Sequence, residues 1–273
     1  SGMTINSLEA ASFPEALAVA ACLVAGLLLT SHAQAQSMTA YPQNGTEPWD
    51  VNLGGGVAVG PAYPGAKRYK PLPAPMISAT YRDTVFFNSM GIGVNAVNIN
   101  GFRAGPILSY FMGRDHTDEA RIGGLKDISM SIAGGGFMAY RFGPIEISGM
   151  IRQAMTHASN GLLGTVQINY RGQITPRASF EVGPDLELGN HAYEQTWFGV
   201  TETQSARSGL PVYRAHGGIQ SVGGHASVSY ALTRTIVLRT FISAKQLVSD
   251  AADSPIVERK TQVLGGIGAI YRF

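Results

Sequence analysis

Residues 162–171 alternate. Leu162, Gly164, Val166, Ile168 and Tyr170 share one parity, and Thr165, Gln167, Asn169 and Arg171 share the other with Leu163. The same period of two runs through 128–141, 145–152, 222–230, 235–245 and 261–273. Successive side chains of a strand point to opposite faces. Each segment therefore predicts a strand with one apolar face and one face rich in Ser, Gln, Glu, Lys, Arg and Gly. In the last segment Val263, Gly265, Ile267, Ala269, Tyr271 and Phe273 keep the apolar parity, while Leu264 and Ile270 break the other.

A soluble sandwich also alternates, but two details favour a membrane barrel. Apolar faces end in tyrosine (Tyr140, Tyr170, Tyr230, Tyr271), as an interfacial aromatic belt requires. The opposite faces carry the charges of a wet or hydrogen-bonded interior. In lipid no sheet edge can stay open, so the strands must close. The expected fold is all-β, a transmembrane antiparallel up-and-down β-barrel. Twelve strands are expected: 51–59, 74–82, 84–88, 90–97, 101–113, 127–140, 144–156, 162–171, 174–187, 217–230, 234–245 and 261–273. The short pair 84–88 and 90–97 leaves ten or fourteen as alternatives. Short and long connections alternate, with a very short outer turn at Ser89 as the exception. Because short turns face the periplasm, both termini are expected there. The closing strand ends on Phe273, the expected recognition residue for the barrel-assembly machinery.

Composition agrees. Charged residues are 14% of the chain, against about 25% in ordinary globular proteins. The 34 glycines suit bends and close packing in strands. Ala16–Thr30 is a compact apolar run, followed by the cleavage pattern Ala33-Gln34-Ala35, so 1–35 reads as an export signal. No basic residue precedes that run. Residues 36–50 read as a polar periplasmic lead-in, and 51–273 as the barrel. The one cysteine, Cys22, falls in the signal, so thiol chemistry is not expected. Loss of Glu9 and Glu15 with the signal moves the formal charge from +2 to +4, too little and too dispersed for nucleic acid.

Candidate chemistry is sparse. A Ser/His/Asp site has His116, His157, His191, His216 and His225 to draw on; His225 shares its face with Ser227 and Ser229 and reads as an interior polar residue. Asp115-His116-Thr117-Asp118-Glu119 groups oxygen and nitrogen donors without a known metal-loop spacing. Asp250 and Asp253 offer a second weak cation reading. Gly54-Gly55-Gly56 and Gly91-Ile92-Gly93 open no helix and so are not phosphate loops. Lys67, Arg68 and Lys70 could meet lipopolysaccharide phosphates. No enzyme activity, cofactor or metal is expected.

Four blocks, in order along the chain, resemble the MipA/OmpV family of outer-membrane proteins. The first contains Pro61, Tyr63, Gly65, Pro71 and Pro73. The second is Gly105-Pro106-Ile107-Leu108-Ser109-Tyr110 running on to Gly113-Arg114. The third contains Trp197-Phe198-Gly199-Val200-Thr201, then Ser208, Gly209, Leu210, Pro211 and Tyr213. The fourth contains Asp250, Asp253, Ser254 and Pro255, then Tyr271-Arg272-Phe273. The resemblance implies a barrel in the Gram-negative outer membrane, in contact with its lipid and lipopolysaccharide. It also implies a scaffold for peptidoglycan synthesis, joining a lytic transglycosylase to a penicillin-binding protein. A passive pore, made mildly anion-attracting by inward Arg141, Arg152, Arg171, Arg239 and Lys245, is the alternative; a lipid-modifying enzyme is more distant. The family-like loops 60–73, 188–216 and 246–260 fall outside, whereas murein enzymes work in the periplasm. Either small periplasmic surfaces suffice for partners, or the loops serve another end, such as folding inward to plug the barrel.

Overall fold

The computed structural model describes residues 48–273, the side chain of Ala158 excepted. The expected signal, 1–35, and most of the lead-in lie outside the described residues. Thirteen strand segments form one antiparallel sheet: β1 (Trp49–Pro61), β2 (Tyr69–Tyr81), β3 (Val85–Asn88), β4 (Gly91–Val94), β5 (Val97–Ile99), β6 (Phe102–Phe111), β7 (Ser131–Phe142), β8 (Ile145–Ala154), β9 (Leu162–Thr175), β10 (Ala178–Gly189), β11 (Gly218–Ala231), β12 (Ile236–Leu247) and β13 (Thr261–Arg272). β4 and β5 both pair with β6 and are two halves of one stave, so the closed barrel has twelve. The short hairpin of β3 and β4 is real, and its tip is only Ser89 and Met90.

Closure comes from β1 and β13, in register from Asn52↔Arg272 to Val59↔Gly265, and from β4 against β6. The closing seam is tight. A Cβ on Gly54 would lie 2.2 Å from the Ala269 carbonyl oxygen, and one on Gly56 would lie 2.1 Å from that of Ile267. Gly55, on the opposite parity, has nothing within 4 Å. Phe273 continues the seam by donating its N–H to the Val51 carbonyl at 3.1 Å.

One mouth carries the short turns and the other the long loops. At the turn end, Arg82 and Asp83 (φ 48° and 53°) and Asn100 and Gly101 (φ 50° and 83°) hold paired left-handed conformations. That geometry matches the twist of a two-residue hairpin. The aromatic belt is at this end: Tyr140 stacks near Phe142, Tyr170 near Phe180 and Tyr271 near Phe273, with ring centroids 4.8–5.9 Å apart. β2 starts at Tyr69, so Pro71 and Pro73 lie in a strand and not in the loop. β3 covers only Ser78–Tyr81 of β2, and residues without an N–H suit the stretch beyond.

Burial is inverted relative to a soluble protein. Val57, Leu108, Met138, Ile151 and Ile242 on the outer face are each more than half exposed, while Arg103, Glu146, Arg152, Asn169, Glu181, Asp185 and Glu187 are buried inside. The interior is not uniformly polar. Ala58, Leu72, Ala74, Met76 and Phe241 form an inner apolar cluster with Leu264 and Ile270 packed on it, and Phe86, Ile107, Phe137 and Met150 form another. The two residues that broke the alternation of β13 thus face an apolar sector of the lumen.

The seam supplies a test. Gly56→Val forces a side chain into the β13 backbone, and Gly55→Val points one into lipid. The first variant is expected to lose the folded, heat-modifiable band on gels after refolding in detergent, and the second to keep it.

Candidate functional site

The long loops fold back into their mouth. Among the described residues three α-helices mark them: α1 (His191–Phe198), α2 (Glu202–Ser208) and α3 (Ser249–Asp253). α1 starts where the Asn190 side chain accepts the N–H of Tyr193 at 2.9 Å and that of Leu162 at 3.0 Å. This fixes the helix to the top of β9. It buries Tyr193, Glu194, Trp197 and Phe198. Tyr193, Trp197 and Phe198 pack with Ala215, Ala251 and Ala252 of the loops and with Phe111, Ala133, Ala154, Leu163 and Leu247 from the strands. The helix therefore fills the lumen instead of lying over it.

α2 carries a capping box between Thr201 and Gln204 and ends at Gly209 (φ 73°). Glycine adopts that left-handed conformation without a Cβ penalty. The reversal brings Leu210 into a second buried cluster with Ala62, Tyr63, Ala66, Ile122, Leu125, Val200 and Ile256. The Tyr63 hydroxyl donates to the Ile256 carbonyl at 3.0 Å, that of Tyr213 to the Asp250 carbonyl at 2.8 Å, and that of Ser254 to the Phe198 carbonyl at 2.6 Å. The Gly65 carbonyl accepts from Glu258 and Arg259 at 2.8 and 3.0 Å, and a Cβ at Gly65 would meet Val257 Cγ2 at 2.6 Å. Arg121 donates to the Pro255 carbonyl at 2.6 Å. The buried Arg114 guanidinium donates to the Trp197 carbonyl at 2.8 Å, and burial lowers its pKa to about 10.

Seven of the motif residues singled out in the sequence meet in this cap: Tyr63, Gly65, Leu210, Tyr213, Asp250, Ser254 and Pro255. Ser208 caps α2, its hydroxyl donating to the Gln204 carbonyl at 2.7 Å. Asp253 pairs with Lys260 at 3.0 Å. Pro61, Pro71 and Pro73 belong to strands, Pro211 is exposed, and Phe273 is at the other mouth. Glu194 was not singled out, because nothing in the sequence marks a carboxylate beside Tyr193 as buried.

Several of the other candidates sit in ion pairs. Arg68 and Lys70 reach Glu119 and Asp118 at 2.6 and 2.9 Å. Asp115, His116 and Asp127 lie together, with His116 Nδ1 2.7 Å from Asp127, whose hydrogen bond and charge raise the histidine pKa. His225 sits between Asn169, 2.7 Å from Nε2, and Asp185, 3.5 Å from Nδ1. Lys245 binds Glu187 at 2.6 Å. Glu146 pairs with Arg103 at 3.0 Å and Arg141 at 2.7 Å, and Arg171 binds Glu181. The inward cations are thus largely matched by acids.

The sequence matches the family described as MltA-interacting protein MipA over residues 53–273. The chain belongs to this family. Comparison with curated proteins finds no match. Among solved structures, the translocator domain of the autotransporter NalP from Neisseria meningitidis is similar at 10% identity and a TM-score of 0.43, covering 94% of this chain and 98% of its own. The NanC porin is similar at 9% identity and a TM-score of 0.41, covering 82% and 100%. The channel DcaP of Acinetobacter baumannii gives 8%, 0.38, and coverage of 82% and 96%. Barrel fold and MipA family together imply an outer-membrane location.

Within this MipA-family cap, Glu194 is the outlying group. It is 2% exposed, and a Cβ at Gly189 would lie 2.0 Å from its Oε1. Burial pushes its pKa up from 4.5 to about 8, with the charges of Glu187 and Asp250 adding. A carboxyl with a raised folded pKa holds a proton that the unfolded chain releases near 4.5. Stability is therefore full below 4.5 and declines as pH rises towards 8. Proteolysis of the 190–216 segment is expected to increase from pH 5 to pH 9, and Glu194→Gln to flatten that dependence.

Proposed function

We propose that this protein is a non-enzymatic interaction barrel of the outer membrane whose loop end faces outward and whose turn end, with both chain termini, faces the periplasm. The observation that carries this reading is the cap. Its motif loops are occupied with one another and with the lumen wall, across the mouth a solute would have to enter. The surface left for a periplasmic partner is the turn end. Its turns present exposed Arg82, Arg177 and Arg234, suited to an acidic protein surface because guanidinium forks bind carboxylates in pairs. The family's description names an interaction with MltA, and such a lytic transglycosylase, together with a penicillin-binding protein, is the proposed cargo. The polar interior supports a structural role, since His225 and the buried acids and bases hold each other.

Three measurements test the reading. Purified protein in planar bilayers is expected to show no stable open channel; steady conductance would favour the pore alternative. Pull-down from membranes should enrich murein hydrolases and synthases over an unrelated barrel, and combined alanine substitution of Arg82, Arg177 and Arg234 should reduce that enrichment. Thr203→Cys, in α2, should react with an impermeant maleimide on whole cells; labelling only after permeabilisation would invert the orientation.

A further inference from the structure

At the turn end the lumen opens into a cavity of about 120 Å³. A break in one stave creates it. Between β4 and β5 the Ala96 N–H folds back to the Val94 carbonyl at 2.9 Å, and the Asn95 N–H reaches the Thr84 carbonyl at 2.7 Å. The Asn95 carboxamide donates to the Asp83 carbonyl at 2.7 Å. β6 accommodates the break only because residue 105 is glycine: a Cβ there would lie 1.8 Å from the Val94 oxygen. All three residues of β5 are exposed. Alternation turns Val97 and Ile99 to the lipid, and Asn98, between them, lines the cavity.

The cavity carries both signs of charge. Arg103 and Arg141 line it, and Glu146, 1% exposed, anchors both guanidinium groups. Asp83 also lines it, from the exposed turn between β2 and β3. Asn95 and Asn98 add neutral donors and acceptors. A simple anion would be drawn by the arginines and repelled by Asp83; a simple cation would meet the reverse. A guest with a carboxylate and an ammonium satisfies both, since a guanidinium pairs with the first and a carboxylate with the second. The volume is far below the roughly 300–1,000 Å³ of drug-sized pockets, so the guest has few heavy atoms.

We propose that this cavity binds a small α-amino acid as its zwitterion, with the α-carboxylate on Arg103 and Arg141 and the ammonium on Asp83. The site stands apart from the scaffold reading, since it needs neither a protein partner nor a closed cap. Calorimetric titration of the full chain in detergent with alanine, acetate and methylammonium tests it. Alanine should bind saturably, and acetate and methylammonium each about tenfold more weakly or worse. Asp83→Asn keeps a residue that tolerates the left-handed turn and should cut alanine affinity about tenfold, to the level of acetate. Alaninamide, which lacks the carboxylate, should bind the unmodified protein as weakly as methylammonium, a comparison that needs no variant. The proposal is overturned by no saturable alanine binding into the tens of millimolar, by acetate or alaninamide matching alanine, or by Asp83→Asn binding alanine unchanged.

Discussion

Lipid offers no hydrogen bonds to a backbone, and the rest of this structure follows from that constraint. A spanning sheet must satisfy every N–H and C=O within itself, which only a closed barrel does. Here closure depends on the ladder between β1 and β13, which places the first and last segments of the described chain side by side. The ladder depends in turn on Gly54 and Gly56, where side chains would collide with the opposing backbone. The outer face then has to be apolar, which explains why Val57 and Ile151 are exposed while Glu146 is not.

Closing a barrel also creates an interior to fill. Two parts are filled like a soluble core, one by Leu72, Met76, Phe241 and Leu264 and one by Phe86, Ile107, Phe137 and Met150. Much of the rest is filled by charges. Burying a lone ion costs several kcal/mol, and a partner offsets that cost only with good geometry. The acids accordingly sit against cations: Glu146 between Arg103 and Arg141, Glu187 against Lys245 with the Ser221 hydroxyl donating at 2.8 Å. Glu194 is different, because the acids nearest it carry the same sign and burial favours its protonated form.

The two mouths are built differently. The loop end is closed by two small hydrophobic clusters whose members come from loops widely separated along the chain, such as Tyr63 and Ile256. The loop motifs that first suggested a family therefore serve the cap. The turn end carries tight turns, exposed arginines and a cavity at a broken stave.

The alternation, with tyrosine-ended faces and connection lengths, pointed to the barrel class and to twelve staves, while the short pair 84–88 and 90–97 left ten or fourteen open until the structure showed twelve. A strand's faces are set by residue parity, which is local and needs no knowledge of neighbours. The same parity marked Leu264 and Ile270 only as exceptions, because it cannot say that the lumen beside them is apolar. Loop sequences such as Ala62–Arg68 and Ser249–Val257 were recognisable as a pattern, but not as contacts. The Tyr63–Ile256 hydrogen bond joins residues 193 positions apart, and only closure of the barrel brings them together. The burial of Glu194 and the cavity beside Arg103 and Arg141 were likewise decided by tertiary structure, since both depend on which backbone segments enclose a side chain and not on the residue's own neighbours in sequence.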